Sequence, residues 1–249
     1  MMGSSARVAA ARASVDRVVL EGFHPLKHAL RFGARVEEVF VADPERLDAL
    51  AAALAPDLRP LLDATRTTRV EAADLAALGG GRSHGATEAI AIALRPHTDL
   101  PAILRDPAPA PIVLLEEPTH LGNLGAVVRV AAAAGAAAVL TTGALDPWHS
   151  AALRGSAGLH FALPVARLTE ADLGLALASG RAIAAADPEG DAAPAAVPPR
   201  ALIALGSERR GLSDALLRRA DVRVRIPMRA GVSSLNLATA AAVLLYAGC

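Results

Sequence analysis

The sequence predicts an α/β protein with two domains, the second of which is built on a parallel sheet. Short apolar runs alternate with helical patterns along most of the 249 residues. In the second half these runs are apolar on both faces, which is typical of parallel strands covered by helices on both sides. Proline is dense at residues 95–111 and separates the two halves, because repeated Pro favours extended chain over regular elements.

The first half has the strand and helix alternation of a small α/β domain, assigned to residues 16–98. Residues 1–15 are rich in Ser and Ala, and we expect them to form a flexible leader. Strands are predicted at 18–21, 36–41, 58–62 and 89–94, and helices at 25–32, 45–54 and 67–78. The glycines at 79–81 are expected to end the last of these helices.

The second half has the same alternation, after a linker that we assign to residues 99–111. The domain that follows occupies residues 112–249. Its strands are predicted at 112–115, 137–140, 161–165, 182–185, 201–205 and 222–226. Its helices are predicted at 123–134, 151–157, 171–178, 214–219 and 234–246.

Composition excludes a disordered chain, because 53% of the residues are hydrophobic and the mean hydropathy is +0.38. The only cysteine, Cys249, is the last residue, so no internal disulfide is possible and a reducing cytoplasm is expected. Apolar stretches are interrupted well before the length of a signal peptide or a membrane span. We therefore expect a cytoplasmic protein without a membrane partner.

Overall charge does not indicate a nucleic-acid partner, since Lys+Arg and Asp+Glu are balanced at 25 each. Charge is uneven only in one stretch of the second half, residues 200–229. This stretch is either a solvated surface or a phosphate-binding patch, because Arg pairs bidentately with phosphate oxygens. Its arginines are Arg200, Arg209, Arg210, Arg218, Arg219, Arg223, Arg225 and Arg229, and its acids are Glu208, Asp214 and Asp221.

Three segments of the second half, at residues 115–135, 202–216 and 226–242, join an apolar run to a cluster of Gly and polar residues. Ligands of open α/β sheets bind at the carboxyl ends of the strands, so the three junctions predict one composite pocket. In the first junction, Gly122 and Gly125 are expected to bracket a tight turn, with Asn123 near the helix N-cap. Arg129 is isolated on an otherwise Ala/Val helix, which favours a functional role.

The second and third junctions each carry a polar residue that could be functional or structural. Gly206 would let a ligand approach the backbone, and Glu208 would follow a strand, although a surface ion pair with Arg is the alternative. In the third junction Ser233 or Ser234 is expected to be the N-cap of the last helix. Asn236 would then lie in the first helical turn, where Asn is a poor helix former.

Several catalytic classes lack their motif in this sequence. Neither G-x-G-x-x-G nor the phosphate-binding G-x-x-x-x-G-K-[ST] occurs. A nucleotide-dependent enzyme of Rossmann type is therefore disfavoured. His24 and His28 have helical spacing but lack the Glu of a zinc protease, so no metal site is expected.

The segments GNLGAVVR, GSERRGLS and IPMRAGVSSLN together resemble the three motifs of the SpoU/TrmH family of RNA 2′-O-ribose methyltransferases, in the same order. Residues 112–248 resemble the family throughout, including the connecting DPWHSAALRGSAGLHFALPV. The segment VLEGFHPLKHALRFGARVEEVFV resembles the family's small RNA-binding domain, which has a ribosomal-protein-L30-like fold. The loop before Asn123 is longer than the compact Asp-Pro-Gly-Asn form common in the family.

The resemblance implies a deep trefoil knot in the catalytic domain, S-adenosylmethionine as the methyl donor and a homodimer formed through that domain. It implies catalytic roles at Arg129, Asn123, Glu208, Ser234 and Asn236. It implies donor contacts at Gly206, Ile226, Leu235, Leu205 and Met228, and no metal. Because a guanidinium stays protonated in proteins, we expect Arg129 to clamp the developing oxyanion or a phosphate and not to act as a base.

Structured RNA is the implied substrate, with ribosomal RNA favoured over transfer RNA. The first domain is expected to supply RNA affinity through shape and phosphate contacts, since its aromatic residues are only Phe23, Phe32 and Phe40. Two alternatives remain open: a non-catalytic RNA-binding or ribosome-assembly factor that retains the fold, and an antibiotic-resistance methyltransferase acting on ribosomal RNA.

Overall fold

A computed structural model describes residues 3–79 and 88–247 and divides the chain into two compact units. The first unit comprises Met1–His97 and Trp148–Ala162, and the second comprises Thr98–Pro147 and Leu163–Cys249. Gly80, Gly81 and Cys249 lie outside the described residues, whereas Gly79 follows a helix end as predicted.

Helices and strands are labelled in chain order. The first unit contains α1 (Ser4–Ala13), β1 (Arg17–Glu21), α2 (Phe23–Arg31), β2 (Val36–Val41), α3 (Pro44–Leu54), α4 (Arg59–Asp63), β3 (Thr67–Arg69), α5 (Ala72–Leu78), β4 (Ala89–Leu94) and α8 (Ser150–Gly155). The second contains α6 (Leu100–Arg105), β5 (Ile112–Leu115), α7 (Leu121–Ala133), β6 (Ala138–Thr141), β7 (Val165–Arg167), α9 (Glu170–Leu177), β8 (Ile183–Ala186), β9 (Leu202–Leu205), α10 (Asp214–Arg219), β10 (Val222–Val224) and α11 (Leu237–Tyr246).

The sheet of the first unit has the strand order β1-β4-β2-β3. The central strand β4 is antiparallel to β1 and β2, and the short β3 is parallel to β2. Phe40 and Ile90 on the two central strands are fully buried and pack with Leu75 and Leu78 of α5. The unit is therefore a small α/β layer with its own apolar core.

The N-terminal residues differ from the flexible leader that the sequence predicts, since residues Ser4–Ala13 form α1. Val8 and Ala11 are three positions apart, lie on one helix face and are each 1% exposed. The Arg12 guanidinium also donates a hydrogen bond to the carbonyl oxygen of Leu78. Tertiary burial of two small apolar residues stabilises this helix, and Ala-rich composition alone did not reveal it.

The predicted strand at 58–62 and the single helix at 67–78 are wrong. Leu58 and Leu62 are buried with helical spacing in a short turn and α4, because Pro56 and Pro60 favour helix starts. Thr67–Arg69 instead pairs with β2, and α5 begins only at Ala72. Pairing at the sheet edge determines this strand, and a three-residue segment has no periodicity to detect.

Residues 148–162 belong to the first unit through close contacts with α2. Gly158 has a φ of +81°, and a Cβ atom there would lie 2.5 Å from the carbonyl oxygen of Pro25. The Nδ1 atom of His28 lies 2.6 Å from the carbonyl oxygen of Ala157. The site at residue 158 thus requires glycine both for its backbone conformation and for space.

The second unit is built on a six-stranded sheet in the order β10-β8-β9-β5-β6-β7, and every pairing is parallel. The four residues of β5, β6 and β9 are all buried, as expected for a sheet covered on both faces. The predicted α/β class with a parallel sheet is confirmed for this unit. β5 and β9 are adjacent at its centre, so the loops that follow them leave the same edge.

The predicted linker is only partly irregular, because it contains α6 with Leu100 and Leu104 buried. The Arg181 guanidinium is 4% exposed and donates to carbonyl oxygens at the end of this helix, among them those of Ile103 (3.2 Å) and Asp106 (3.2 Å). A helix C-terminus leaves carbonyl groups without intrahelical partners, and Arg181 satisfies them. Burial lowers the pKa of Arg181, with the nearby Arg200 adding to the effect and Asp106 opposing it.

Across residues 3–79 and 88–247, no helix is both long and apolar enough to cross a membrane.

Candidate active site

The loop after β5 is joined to the loop after β9 by three side-chain contacts. Both carboxylate oxygens of Glu116 accept hydrogen bonds from Ser213, at 2.6 Å from its backbone nitrogen and 2.7 Å from its hydroxyl. Glu117 forms an ion pair with Arg210. Thr119 donates to Glu208. Adjacent parallel strands bring the two loops together, and these contacts hold their side chains in register.

Glu117 adopts a left-handed backbone conformation, with a φ of +47°. Such a conformation costs a non-glycine residue on the order of 1–3 kcal/mol and occurs preferentially near functional sites. The Thr142 hydroxyl oxygen accepts a hydrogen bond from the Glu117 backbone N–H at 3.0 Å. At Gly143 a Cβ atom would lie 3.2 Å from the Glu117 Cα atom, so a small residue is needed beneath this turn.

The start of α7 differs from the sequence prediction. His120 is the N-cap, and its ring nitrogen Nδ1 accepts a hydrogen bond from the Asn123 backbone N–H at 3.2 Å. Gly122 and Gly125 lie inside the helix and do not bracket a turn before it. Because His120 caps the helix, the Asn123 side chain is free to make other contacts.

A continuous chain of hydrogen bonds connects four side chains, of which Asn123 lies in the first turn of α7 and the others lie in the loops after β5, β9 and β10. Both the backbone N–H (3.2 Å) and the hydroxyl (2.7 Å) of Thr119 donate to Oε2 of Glu208. The Asn123 Nδ2 group donates to Oε1 of Glu208 at 2.8 Å. The Asn236 Nδ2 group donates to Oδ1 of Asn123 at 3.1 Å. Three of the five predicted catalytic residues are thereby brought into contact, and Thr119 joins them.

Asn236 is the N-cap of α11, and its Oδ1 atom accepts from the Ala238 backbone N–H at 2.9 Å. The prediction that Ser233 or Ser234 caps this helix is therefore wrong, as is the placement of Asn236 inside the first turn. Asn is a favoured N-cap residue, which explains a poor helix former at this position.

The direction of the hydrogen-bond chain is fixed by its ionised end. A carboxylate accepts hydrogen bonds and does not donate them, so the amide nitrogen of Asn123 must face Glu208. Oδ1 of Asn123 then faces Asn236, whose own Oδ1 is engaged by a helix N–H. Each amide uses one of its two N–H donors in these contacts, and the second donor has no partner within residues 3–79 and 88–247.

The pKa of Glu208 is lowered. Burial alone would raise it, but hydrogen bonds from the Asn123 and Thr119 side chains and from backbone groups outweigh burial. Glu208 is therefore a carboxylate at neutral pH and a weak base. Glu208 acts as a negatively charged hydrogen-bond acceptor that orients the N–H and O–H groups of Thr119 and Asn123.

A cavity of about 690 Å³ opens beside this hydrogen-bond chain. All five residues predicted to contact the methyl donor line it, namely Leu205, Gly206, Ile226, Met228 and Leu235. Glu208 and Ser234 line it as well, whereas Asn123 and Asn236 do not. Its volume lies within the range of roughly 300–1,000 Å³ typical of small-molecule sites.

Gly206 is required by the protein's own backbone. A Cβ atom there would lie 1.9 Å from the carbonyl carbon of Gly211 and 2.1 Å from the nitrogen of Leu212. Residues Ser207 and Gly211 close this turn, with the Gly211 N–H donating to the Ser207 carbonyl oxygen at 2.9 Å. The tight turn shapes one wall of the cavity.

Arg129 is not joined to the hydrogen-bond chain. Its side chain is exposed on α7, six positions after Asn123, and it has no hydrogen-bond or ion-pair partner among the described residues. Six positions correspond to about one and two-thirds turns, so the two side chains lie on different faces of α7. Ser234 is exposed in the loop before α11 and, among the described residues, likewise makes no hydrogen bond to Asn123 or Asn236.

The arginines of residues 200–229 divide into paired and unpaired groups. Arg210 pairs with Glu117, Arg223 pairs with the buried Asp187, and Arg200 donates to the Asp106 carbonyl oxygen at 2.9 Å. Within the part of the chain that the structure describes, Arg209 lines the cavity and has no such partner. The stretch is thus partly structural, and only its unpaired members are available for phosphate.

Among the described residues, no group of three or more His, Cys, Asp or Glu side chains is arranged to hold a metal ion.

Three residues of the site were not singled out from the sequence as site residues: Glu116, Thr119 and His120. Each acts through a partner that is remote in sequence or through a backbone group, so local pattern did not reveal it. The available signal was the unusual length of the loop before Asn123, together with its polar residues.

Comparison with known proteins relates this chain to RNA methyltransferases. Residues 110–246 match the model of the SpoU rRNA Methylase family. An uncharacterised tRNA/rRNA methyltransferase of Mycobacterium bovis is 39% identical over 144 residues, which cover 54% of this chain and 50% of that protein. The chain thus aligns with about half the length of this relative and of its two Mycobacterium tuberculosis counterparts.

Two further comparisons cover nearly the whole chain. A 23S rRNA (uridine(2479)-2′-O)-methyltransferase of Streptomyces viridochromogenes is 29% identical over 247 residues, covering 94% of this chain and 83% of that protein. The crystal structure of the SpoU methyltransferase AviRb from Streptomyces viridochromogenes, in complex with the cofactor AdoMet, superposes with a TM-score of 0.78. That superposition has 25% identity and covers 99% of this chain and 92% of the other.

Proposed function

Because the chain belongs to the SpoU rRNA methylase family, we propose that it transfers a methyl group from S-adenosylmethionine to a ribose 2′-hydroxyl of structured RNA. Ribosomal RNA is the favoured substrate and transfer RNA the less favoured one. The name of the full-length Streptomyces relative, a 23S rRNA 2′-O-methyltransferase, supports this preference.

The position of Glu208 is the observation that carries the proposal. Glu208 lines the 690 Å³ cavity and also accepts the hydrogen bond from Asn123. A methyl donor in the cavity and a nucleotide held by the free amide N–H groups would meet beside this carboxylate. Such an arrangement suits a transfer between two bound molecules, since holding both in place removes most of the entropic cost of their encounter.

The cavity walls fit S-adenosylmethionine in both shape and chemistry. The apolar side chains Leu205, Ile226, Met228 and Leu235 suit a flat adenine ring, and the charged ones suit the ionised amino-acid end. S-adenosylmethionine supplies a methyl group bonded to a positively charged sulfur. The carboxylate of Glu208, whose side-chain partners Thr119 and Asn123 are neutral, gives the cavity a negative contribution that favours this cation, whereas the charge of Asp187 is balanced by Arg223.

The proton of the ribose hydroxyl needs an acceptor outside the described network. The lowered pKa of Glu208 makes it a poor base, and a guanidinium such as that of Arg129 stays protonated. In our proposal the oxygen–methyl bond forms as the sulfur–methyl bond breaks, and the proton passes to a substrate phosphate or to water. Arg129 clamps the developing negative charge on oxygen, or an adjacent phosphate, through its unpaired guanidinium.

The remaining predicted residues have positioning roles in this scheme. The free N–H donors of Asn123 and Asn236 bind the sugar or phosphate oxygens of the target nucleotide, and Ser234 holds it from the cavity side. Gly206, Leu205, Ile226, Met228 and Leu235 bind the donor largely through backbone groups and apolar contact.

The finer structural expectations belong to the same proposal. They are a deep trefoil knot in the second unit, a ribosomal-protein-L30-like fold in the first, a homodimer formed through the catalytic domain, and a cytoplasmic location. Similarity of the three motifs to the SpoU/TrmH family supports the knot and the dimer. The resemblance of VLEGFHPLKHALRFGARVEEVFV supports the fold of the first unit, and the single cysteine of the sequence supports the location. Light scattering coupled to size-exclusion chromatography tests the dimer, with a monomer at micromolar concentration as the contradicting result.

The function is tested by incubating the purified protein with methyl-labelled S-adenosylmethionine and total RNA from which ribosomal and transfer RNA are then separated. We expect label in 2′-O-methylated nucleosides of ribosomal RNA, with the modified position mapped by resistance to alkaline hydrolysis. An Asn123→Ala variant serves as the control with an interrupted hydrogen-bond chain.

The outcomes separate the alternatives. Label on a base, or on no RNA, would contradict the proposal. RNA binding without methyl transfer would favour the non-catalytic assembly factor. Methylation of ribosomal RNA that raises the antibiotic tolerance of a sensitive host would favour the resistance enzyme.

A further inference from the structure

We propose that Thr119 is a positioning residue that holds the Glu208 carboxylate in the orientation in which it receives the Asn123 amide. This inference rests on the proposed methyl transfer, because it assigns a role within the same site. Thr119 is not one of the residues that the family resemblance implies.

Thr119 holds one oxygen of Glu208 with two donors. Its backbone N–H and its hydroxyl both donate to Oε2, at 3.2 and 2.7 Å, while Asn123 donates to Oε1 at 2.8 Å. A carboxylate that is bonded at both oxygens cannot rotate about its terminal torsion without losing a bond. Oε1 is therefore kept facing Asn123, although Glu208 is exposed and lies in a loop.

The loop that carries Thr119 is itself held by the two residues that precede Pro118. Glu116 accepts two hydrogen bonds from Ser213, and Glu117 pairs with Arg210 and is held by the Thr142 hydroxyl. Ser213 and Arg210 belong to the same loop after β9 that carries Glu208, whereas Thr142 follows β6. Thr119 therefore follows a segment of the loop that is held in place, as a positioning residue requires.

The hydroxyl of Thr119 also helps to hold the pKa of Glu208 below its ordinary value. Hydrogen bonds from Thr119 and Asn123 lower the pKa of Glu208, and an ionised carboxylate determines which end of the Asn123 amide faces it. If Glu208 were protonated, the side-chain amide of Asn123 could rotate by half a turn. An amide oxygen, which accepts hydrogen bonds, would then replace the N–H group that faces the nucleotide. Thr119 therefore acts on the substrate through Glu208 and Asn123.

The test compares Thr119→Val, which removes the hydroxyl but keeps the shape and backbone N–H, with Thr119→Ser, which restores a hydroxyl. Thr142→Val is the matched control, because its hydroxyl holds the same loop at Glu117 without touching Glu208. We measure kcat and KM for RNA across pH, the affinity for S-adenosylmethionine by calorimetry, and the Glu208 pKa by NMR of the labelled carboxyl carbon.

For Thr119→Val we expect kcat to fall roughly tenfold, the cost of one hydrogen bond to a charged group. The KM for RNA and the affinity for S-adenosylmethionine should each change by less than about twofold. The acid limb of the pH–rate profile should move to higher pH, because loss of a donor raises the pKa of Glu208. Thr119→Ser should restore both properties, and Thr142→Val should leave the acid limb unmoved.

Two results would overturn the inference: a Thr119→Val enzyme with an unchanged acid limb and Glu208 pKa, or an equal shift in Thr142→Val. Failure of the proposed function is recognised separately, because the unmodified protein would then methylate no RNA. The carboxyl titration needs no activity, so it decides the role of Thr119 toward Glu208 in that case as well.

Discussion

The amide nitrogen of Asn236 donates a hydrogen bond to the amide oxygen of Asn123 at 3.1 Å, across 113 positions of sequence. The same Asn236 side chain caps α11 through its oxygen. One residue therefore has two separable tasks, one at each end of its amide. This separation permits a substitution that removes one task and retains the other.

Replacing Asn236 by Asp should abolish most activity while preserving stability. Asp is as good an N-cap as Asn, so α11 keeps its cap, but the donor to Asn123 is lost and a negative charge takes its place. We expect the rate of methyl transfer to fall by at least about tenfold, with little change in thermal midpoint. Asn236→Ala should instead also lose about 1 kcal/mol of stability. Full activity in Asn236→Asp would contradict the proposed orientation of the amides.

Replacing Arg129 by Lys should lower turnover without affecting folding. The side chain is exposed and unpaired among the described residues, so stability should be unchanged within about 0.5 kcal/mol. Lys keeps the charge but loses the planar fork, and loss of a preorganised donor costs roughly 10²–10³ in rate. Single-turnover methyl transfer and denaturant unfolding measure the two quantities. Near-full turnover would contradict a geometric role for the guanidinium.

Replacing Gly206 by Ala should disrupt the cavity. The added Cβ atom would lie 1.9 Å from a backbone carbon of Gly211, so the turn must open. We expect loss of S-adenosylmethionine binding together with a fall in stability of roughly 1–3 kcal/mol. Gly174→Ala is the control, because this helical glycine has nothing within 4 Å of the added atom and should gain about 0.5–1 kcal/mol. A normal affinity for S-adenosylmethionine in Gly206→Ala would show that the turn accommodates the added methyl group, which would contradict this prediction.

The stability of the first unit should fall in mild acid because of His28. Burial, the largest cause, lowers the pKa of this residue, and nearby Lys27, Arg31 and His24 add to the effect, although the Ala157 carbonyl oxygen opposes it. A folded-state pKa below the unfolded value of about 6.5 means that the unfolded chain binds the proton more readily. The stability contributed by neutral His28 is complete above the unfolded pKa of about 6.5, and it is lost as the pH falls through the pKa of the folded state.

The free energy of unfolding, measured by denaturant titration across pH, tests this expectation. His28→Gln removes the titrating ring and should flatten the decline below pH 6.5. His24→Gln changes an exposed ring on the same helix and removes only the smallest cause of the His28 shift, so most of the decline should remain. An unchanged decline in His28→Gln would assign the acid sensitivity to other groups.

Most of the second unit could be predicted from the sequence because its strands are continuous apolar runs with strong boundaries, such as β5 and β9. The short β3 and the turn at Pro56 could not, since pairing and packing determine them and local periodicity does not. The helix α1 was missed for a related reason: only Val8 and Ala11 mark its buried face.

The candidate site followed the same division. Glu208, Asn123 and Asn236 can be identified from the motifs, but the sequence does not correctly predict which residues cap α7 and α11. Local preference favoured Asn123 as one cap and Ser233 or Ser234 as the other, whereas His120 and Asn236 occupy those positions. The contacts of Thr119 and Glu116 span 89 and 97 positions, and spacing along a chain contains no information about such pairs.

The three loops that contribute to the hydrogen-bond chain should differ from other loops in their tolerance of insertions. A single residue added between β5 and α7, or between β10 and α11, would displace Thr119 or Asn236 by more than the length of a hydrogen bond. The polar segment after β8 contributes no residue to that chain. Natural or engineered length variation in this domain should therefore accumulate after β8, beyond the cavity-lining residues Asp187, Pro188 and Glu189. A library of random insertions scored for activity would reveal that bias.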